Sequence, residues 1–158
     1  MDSRMAQALR SLLQTRRIAS LGTLHAGEPY VSMVPFALLP RGAGFVIHVS
    51  ALAAHTKDML ADPRVSLLVI APESPDVPPQ ALARATIQAD ALQYLESTPG
   101  HAEARQAYLA RFPTSSTMFE LADFSLFAIR PRSIRFVGGF AQAGTLTPER
   151  LAEVLGGE

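Results

Sequence analysis

The sequence predicts a mainly β fold of the α+β class, in which six antiparallel strands close into a barrel with helices at its periphery. Three observations predict it. Segments with period-two alternation dominate the chain, most are joined by tight-turn residues, and the helical segments lack the regular βαβ alternation that a doubly wound parallel sheet requires. With 158 residues, 48% of them apolar and 18% charged, the chain fits one globular domain. We therefore expect a single domain over residues 1–158 with its barrel core at about 16–144, an N-terminal helix over 2–15 and a C-terminal helix over 147–156.

Met5, Ala8, Leu9, Leu12 and Leu13 recur at helical spacing, with Asp2 or Ser3 available as the N-cap. The run IASLGTLH then alternates, His25-Ala26-Gly27-Glu28 supplies a turn, and PYVSMVPFALL forms the second arm of a hairpin. After Arg41-Gly42-Ala43-Gly44 the run FVIHVS reads as a third strand, and Ala51 to Leu60 as a helix that stops at Asp62-Pro63. VSLLVIA is a fourth strand, and the proline-rich PESPDVPP can only be a surface loop. A long strand over Ala81 to Leu95, a helix over Gly100 to Phe112 and alternation from Phe124 to Val137 follow, and TPERLAEVLGG carries the signature of a capped terminal helix.

Fourteen basic residues balance fourteen acidic ones, so no net field draws the chain to nucleic acid. No apolar run approaches the roughly 20 residues of a membrane span and no signal-peptide order is visible, from which we expect a cytoplasmic protein with no membrane partner. The absence of cysteine removes thiolate nucleophiles, disulfides and cysteine-ligated metals. The four histidines are widely scattered, and there is no G-x-S-x-G elbow, no Walker sequence and no G-x-G-x-x-G fingerprint. No metal site is expected, and no catalytic side chain can be assigned.

The most informative segment is HVSALAAHTKDML, where a strand ends and a helix begins with Ser50, His55, Thr56 and Lys57, the only lysine of the chain. Free N–H groups and the helix dipole favour an anion at such a terminus, whereas a lone cation there is slightly disfavoured. A bound phosphate accounts for this arrangement; a solvated helix face with Lys57 in water is the alternative. Tyr30, Ser32 and Pro35 on the second strand are placed to present backbone and hydroxyl groups to a flat ligand, or simply to form an edge. Gly138-Gly139-Phe140 reads as a close backbone approach or a turn.

Taken in order, RRIASLGTLHAGEPYVSMVPF, FVIHVSALAAHTKDMLADPRVSLLV, YLARFP and FSLFAIRPRSIRFVGGFAQAG resemble the pyridoxamine 5′-phosphate oxidase-like FMN-binding split barrels, nearest their haem-utilisation branch. The resemblance covers Arg16 to about Gly144. It implies a six-stranded split barrel, a homodimer with cofactor clefts at the subunit interface, and FMN as cofactor, with haem as the alternative. Carried over by position, the phosphate-binding residues fall on His55, Thr56 and Lys57 beside Ser50. The flavin-lining strand falls on Ser32, Met33, Val34 and Pro35, and the adjacent strand contacts the cofactor at His48 and Val49. Ser32 and Ala37 stand where the true oxidases carry an arginine and a lysine, so vitamin B6 phosphate oxidation is not implied. Haem-degrading relatives use a histidine in a C-terminal segment, and none follows His101 here. The resemblance thus implies an FMN-dependent oxidoreductase acting on an unidentified small substrate, or else a non-catalytic protein that binds FMN or haem.

Overall fold

The computed structural model describes residues 1–156. Its eight strands form one antiparallel sheet, β1 (Ile18–His25), β2 (Glu28–Pro35), β3 (Ala37–Leu38), β4 (Phe45–Ser50), β5 (Arg64–Ile70), β6 (Arg84–Tyr94), β7 (Phe124–Gly139) and β8 (Gln142–Leu146). The ladder runs β2-β1-β5-β6-β7-β4-β3, with β8 paired to β7. β2 and β3 lie at opposite ends of this ladder yet are joined through the single residue Phe36, so the chain itself pulls the sheet into a split barrel. The count is eight rather than six for two reasons. PYVSMVPFALL breaks at Phe36, whose fully buried ring turns inward while its N–H bonds Arg17. β8 folds back on β7 through a turn at Phe140 and Ala141, the latter in the left-handed region.

Alternation decides what each strand buries. In β4, Phe45, Ile47 and Val49 enter the barrel core with Leu21, Val34, Leu67, Ile87 and Phe136. Val46 faces the other way, joining Leu126, Ala128, Ala104 and Tyr108 in a smaller core. Gly44, immediately before β4, is required: its φ is +127°, and a Cβ there would overlap the carbonyl oxygen of Ile129.

Four helices surround the sheet, α1 (Ser3–Thr15), α2 (Ala54–Ala61), α3 (His101–Arg111) and α4 (Pro148–Gly156). Asp2 caps α1 by accepting from the Met5 N–H at 2.8 Å. The far end of α1 is held by Arg111 of α3, whose guanidinium donates to the carbonyls of Leu13, Gln14, Arg16 and Phe36. Residues Ala51 to Ala53 form a turn, so α2 starts three residues later than the alternation suggests. This displacement brings His55 and Lys57 into its first turns.

Candidate cofactor site

α2 has no side-chain cap, because Ala53 occupies the N-cap position. Its first backbone N–H groups, those of Ala54 and His55, therefore lack an intrahelical partner and favour a negative ligand. Lys57 is exposed, and among the described residues no carboxylate lies within ion-pair distance of it. His55 reaches the neighbouring strand, sharing a hydrogen bond of 3.0 Å between its Nδ1 and Ser32 Oγ. Burial lowers the His55 pKa although Asp58 pulls it upward, so at neutral pH His55 serves as a neutral hydrogen-bonding group. Lys57 is left as the cation at this helix start.

Ser50 and Thr56 meet as well, but chiefly to shape the turn. Thr56 is buried and donates to the Ser50 carbonyl at 2.6 Å. The Ser50 hydroxyl donates to Asp123 at 3.0 Å and accepts from the Leu52 N–H at 3.1 Å. Val34 and Val49 point into the barrel core, which leaves only their backbone groups for a ligand. Pro35 ends β2 half-buried, while Met33 projects from the opposite side of that strand to Ser32 and is exposed.

His48 is drawn away from this group. Its side chain lies on the face of β4 that carries Val46, stacked on Phe119 at 3.8 Å between ring centroids and 7° between planes, with Tyr108 and Phe124 nearby. Its Nδ1 is buried without a hydrogen-bond partner. Burial first, and the charge of Arg105 second, lower its pKa to about 4.

The structure adds a network that sequence reasoning missed. Asp58, buried beneath α2, accepts from Thr23 Oγ1 at 2.8 Å and bonds His25 Nδ1 at 2.7 Å. Burial pushes this carboxyl up, but the hydrogen bonds from Thr23 and His25 hold it below its ordinary range. His25 in turn lies against Tyr30 of β2, at 5.4 Å between rings. Asp58 follows Lys57 directly in the HTKD run, but its partners Thr23 and His25 lie on β1, and only the fold brings them to it. Among the described residues no group of three histidines, aspartates or glutamates is arranged to hold a metal, and no helix is long and apolar enough to cross a membrane.

An antiparallel split barrel with peripheral helices defines the fold class of this protein. The chain belongs to the pyridoxamine 5′-phosphate oxidase family, whose model matches residues 5–138. Relatives that the chain resembles within this family include proteins named for haem. It is 36% identical over 140 residues to the non-canonical heme oxygenase HOZ, chloroplastic, of Arabidopsis thaliana, covering 87% of this chain and 41% of that protein. It is 26% identical over 155 residues to heme oxygenase HutZ of Vibrio cholerae, covering 97% of this chain and 87% of that one. The solved structure of a heme binding protein from Mycobacterium smegmatis superposes with a TM-score of 0.84 at 30% identity, covering 96% of this chain and 61% of that one. The chain thus spans less than two thirds of the plant relative and of the mycobacterial structure.

Proposed function

We propose that this protein binds haem and serves haem utilisation, holding the cofactor along β2 and the start of α2 in a cleft that a second copy of the chain completes. The observation that carries this reading is the meeting of two surfaces on one side of the barrel. The uncapped α2 terminus with Lys57 suits an acidic substituent, and the exposed edge strand with Tyr30 suits a flat ring. Haem combines such a ring with carboxylates, and the relatives at 36% and 30% identity are named for haem. Ser32 would line the ring with its side chain and Met33, Val34 and Pro35 with backbone groups, while His48, Val49 and Ser50 contribute from β4 chiefly through backbone groups. His55, Thr56 and Lys57 would hold the acidic end. Exposed Val31, at 70%, and Met33, at 59%, form an apolar patch on the outer side of β2 that a second copy would cover.

A specific observation favours FMN as a second reading. A helix start without a cap, beside an unpaired lysine, suits a phosphate as well as a carboxylate. With FMN bound the protein would be an oxidoreductase for a small substrate. The bound group would supply the electron chemistry in either case, while the chain's own residues bind, orient and shield it.

Absorbance from 300 to 700 nm, recorded after adding FMN or haem and removing the excess, tests both readings. A retained Soret band is the expected result. Retained flavin bands alone would replace haem by FMN, and retention of neither would overturn the cofactor site.

A further inference from the structure

On the other side of β4 the ends of β6 and β7 floor an open cavity of about 970 Å³, roofed by α3 and by the short helical turn of Pro113–Glu120. Of the ten residues assigned to the cofactor site only His48 lines it. Its volume lies at the upper end of the roughly 300–1,000 Å³ typical of small-molecule pockets. Tyr94, Leu109, Phe119, Phe124 and Leu126 supply apolar and aromatic walls.

Two polar groups in this cavity are open to a ligand, one buried and one exposed. His48 is only 7% exposed, and its Nδ1 has no hydrogen-bond partner. Arg105 lies 5.1 Å from the centre of the Phe119 ring, and among the described residues no carboxylate is within ion-pair distance of it. Arg105 thus lies over the Phe119 ring, and that ring stacks on His48, whose Nδ1 is unpartnered. Planar apolar walls select an aromatic ligand, and a free guanidinium selects a carboxylate, which it can grip through two parallel hydrogen bonds. Glu96, exposed at the rim, repels a second acidic group and so disfavours a dicarboxylate such as haem.

We propose that this cavity is a second ligand site, separate from the cofactor face, for a small aromatic monocarboxylate paired with Arg105 and seated beside His48. The lowered pKa of His48 keeps its imidazole neutral across the physiological range, so Arg105 alone supplies firm positive charge within the stack.

The chain contains no tryptophan, so an indole probe fluoresces against a background of tyrosine only. Fluorescence anisotropy of indole-3-acetate titrated with the full chain is expected to saturate. Indole-3-acetamide should bind about tenfold more weakly, because it forfeits the charge-assisted pair, and tryptamine more weakly still. Arg105 is exposed, so Arg105→Gln should fold normally and erase the difference between acetate and acetamide. Haem-loaded protein should bind indole-3-acetate as the free protein does. An unsaturable titration at millimolar concentration, or a carboxylate preference that survives Arg105→Gln, would overturn the site. Displacement of the probe by haem would also overturn it, while leaving the proposed function intact; conversely, probe binding by a chain that retains neither haem nor FMN would sink that function and leave this site standing.

Discussion

Replacing His48 with phenylalanine should make the protein resistant to mild acid. In the folded chain the His48 pKa falls from 6.5 to about 4, because burial disfavours the imidazolium and Arg105 repels it. The unfolded state therefore binds more protons than the folded state between those values. The sign follows: stability is full above about pH 6.5 and is lost as pH falls toward 4. At about 1.4 kcal/mol per pKa unit the complete loss is on the order of 3 kcal/mol, of which about 2 kcal/mol is already spent at pH 5. For a chain of this length that is a fall in Tm of about 4–8 °C. Phenylalanine preserves the stack on Phe119 and removes the unpartnered Nδ1, so His48→Phe should match or exceed the parent at pH 8. The assay is urea unfolding of both proteins at pH 8, 6.5, 5.5 and 5. Comparing the two isolates His48 from His55, whose lowered pKa acts in the same direction, and from Asp58, whose lowered pKa matters only below about 4. Parallel losses in the two proteins would refute the reasoning.

Lys57→Ala should weaken retention of the acidic cofactor about tenfold or more while leaving Tm unchanged, since it removes an exposed cation from the α2 start; equilibrium titration reads it. Met33→Glu places a charge on the apolar outer side of β2 and should shift the protein to monomer in sedimentation equilibrium. Asp58→Ala strips Thr23 and His25 of their shared acceptor and should cost about 2 kcal/mol in denaturant unfolding. Gly44→Ala combines a positive φ with overlap on the Ile129 carbonyl oxygen and should cost about 3 kcal/mol, read as a lower urea midpoint.

What could be read from the residues was local. FVIHVS is β4 to the residue, and the long alternating runs are β6 and β7, because a half-buried strand writes its two faces directly into the chain. The break at Phe36 was hidden, because an apolar residue continues the apolar run while turning inward. The short β8 was hidden because QAGTL scarcely alternates and owes its pairing to β7. At the site, the gathering of His55, Thr56 and Lys57 at the start of α2 is legible in the sequence. The neutrality of His55 and the departure of His48 to the opposite face depend on burial and on neighbours distant in the chain. Asp58 is the clearest instance: nothing within its own helix tells it apart from a solvated carboxylate, and its meaning comes from Thr23 and His25.

β7 pairs with β4, β6 and β8, and so joins the β4–β3 end of the ladder to β6. Phe45 must find Ile129, and Ser50 must find Phe124, across about half of the chain. Such pairings repay their loop-closure entropy late, so this protein should fold slowly, on the millisecond-to-second scale of high-contact-order β proteins. During synthesis, β1 to β6 would emerge before their seam exists, with the interior edges of β4 and β6 unpaired until β7 arrives. A nascent chain in that state exposes hydrogen-bonding templates to its neighbours, and chaperone protection matters most over that interval.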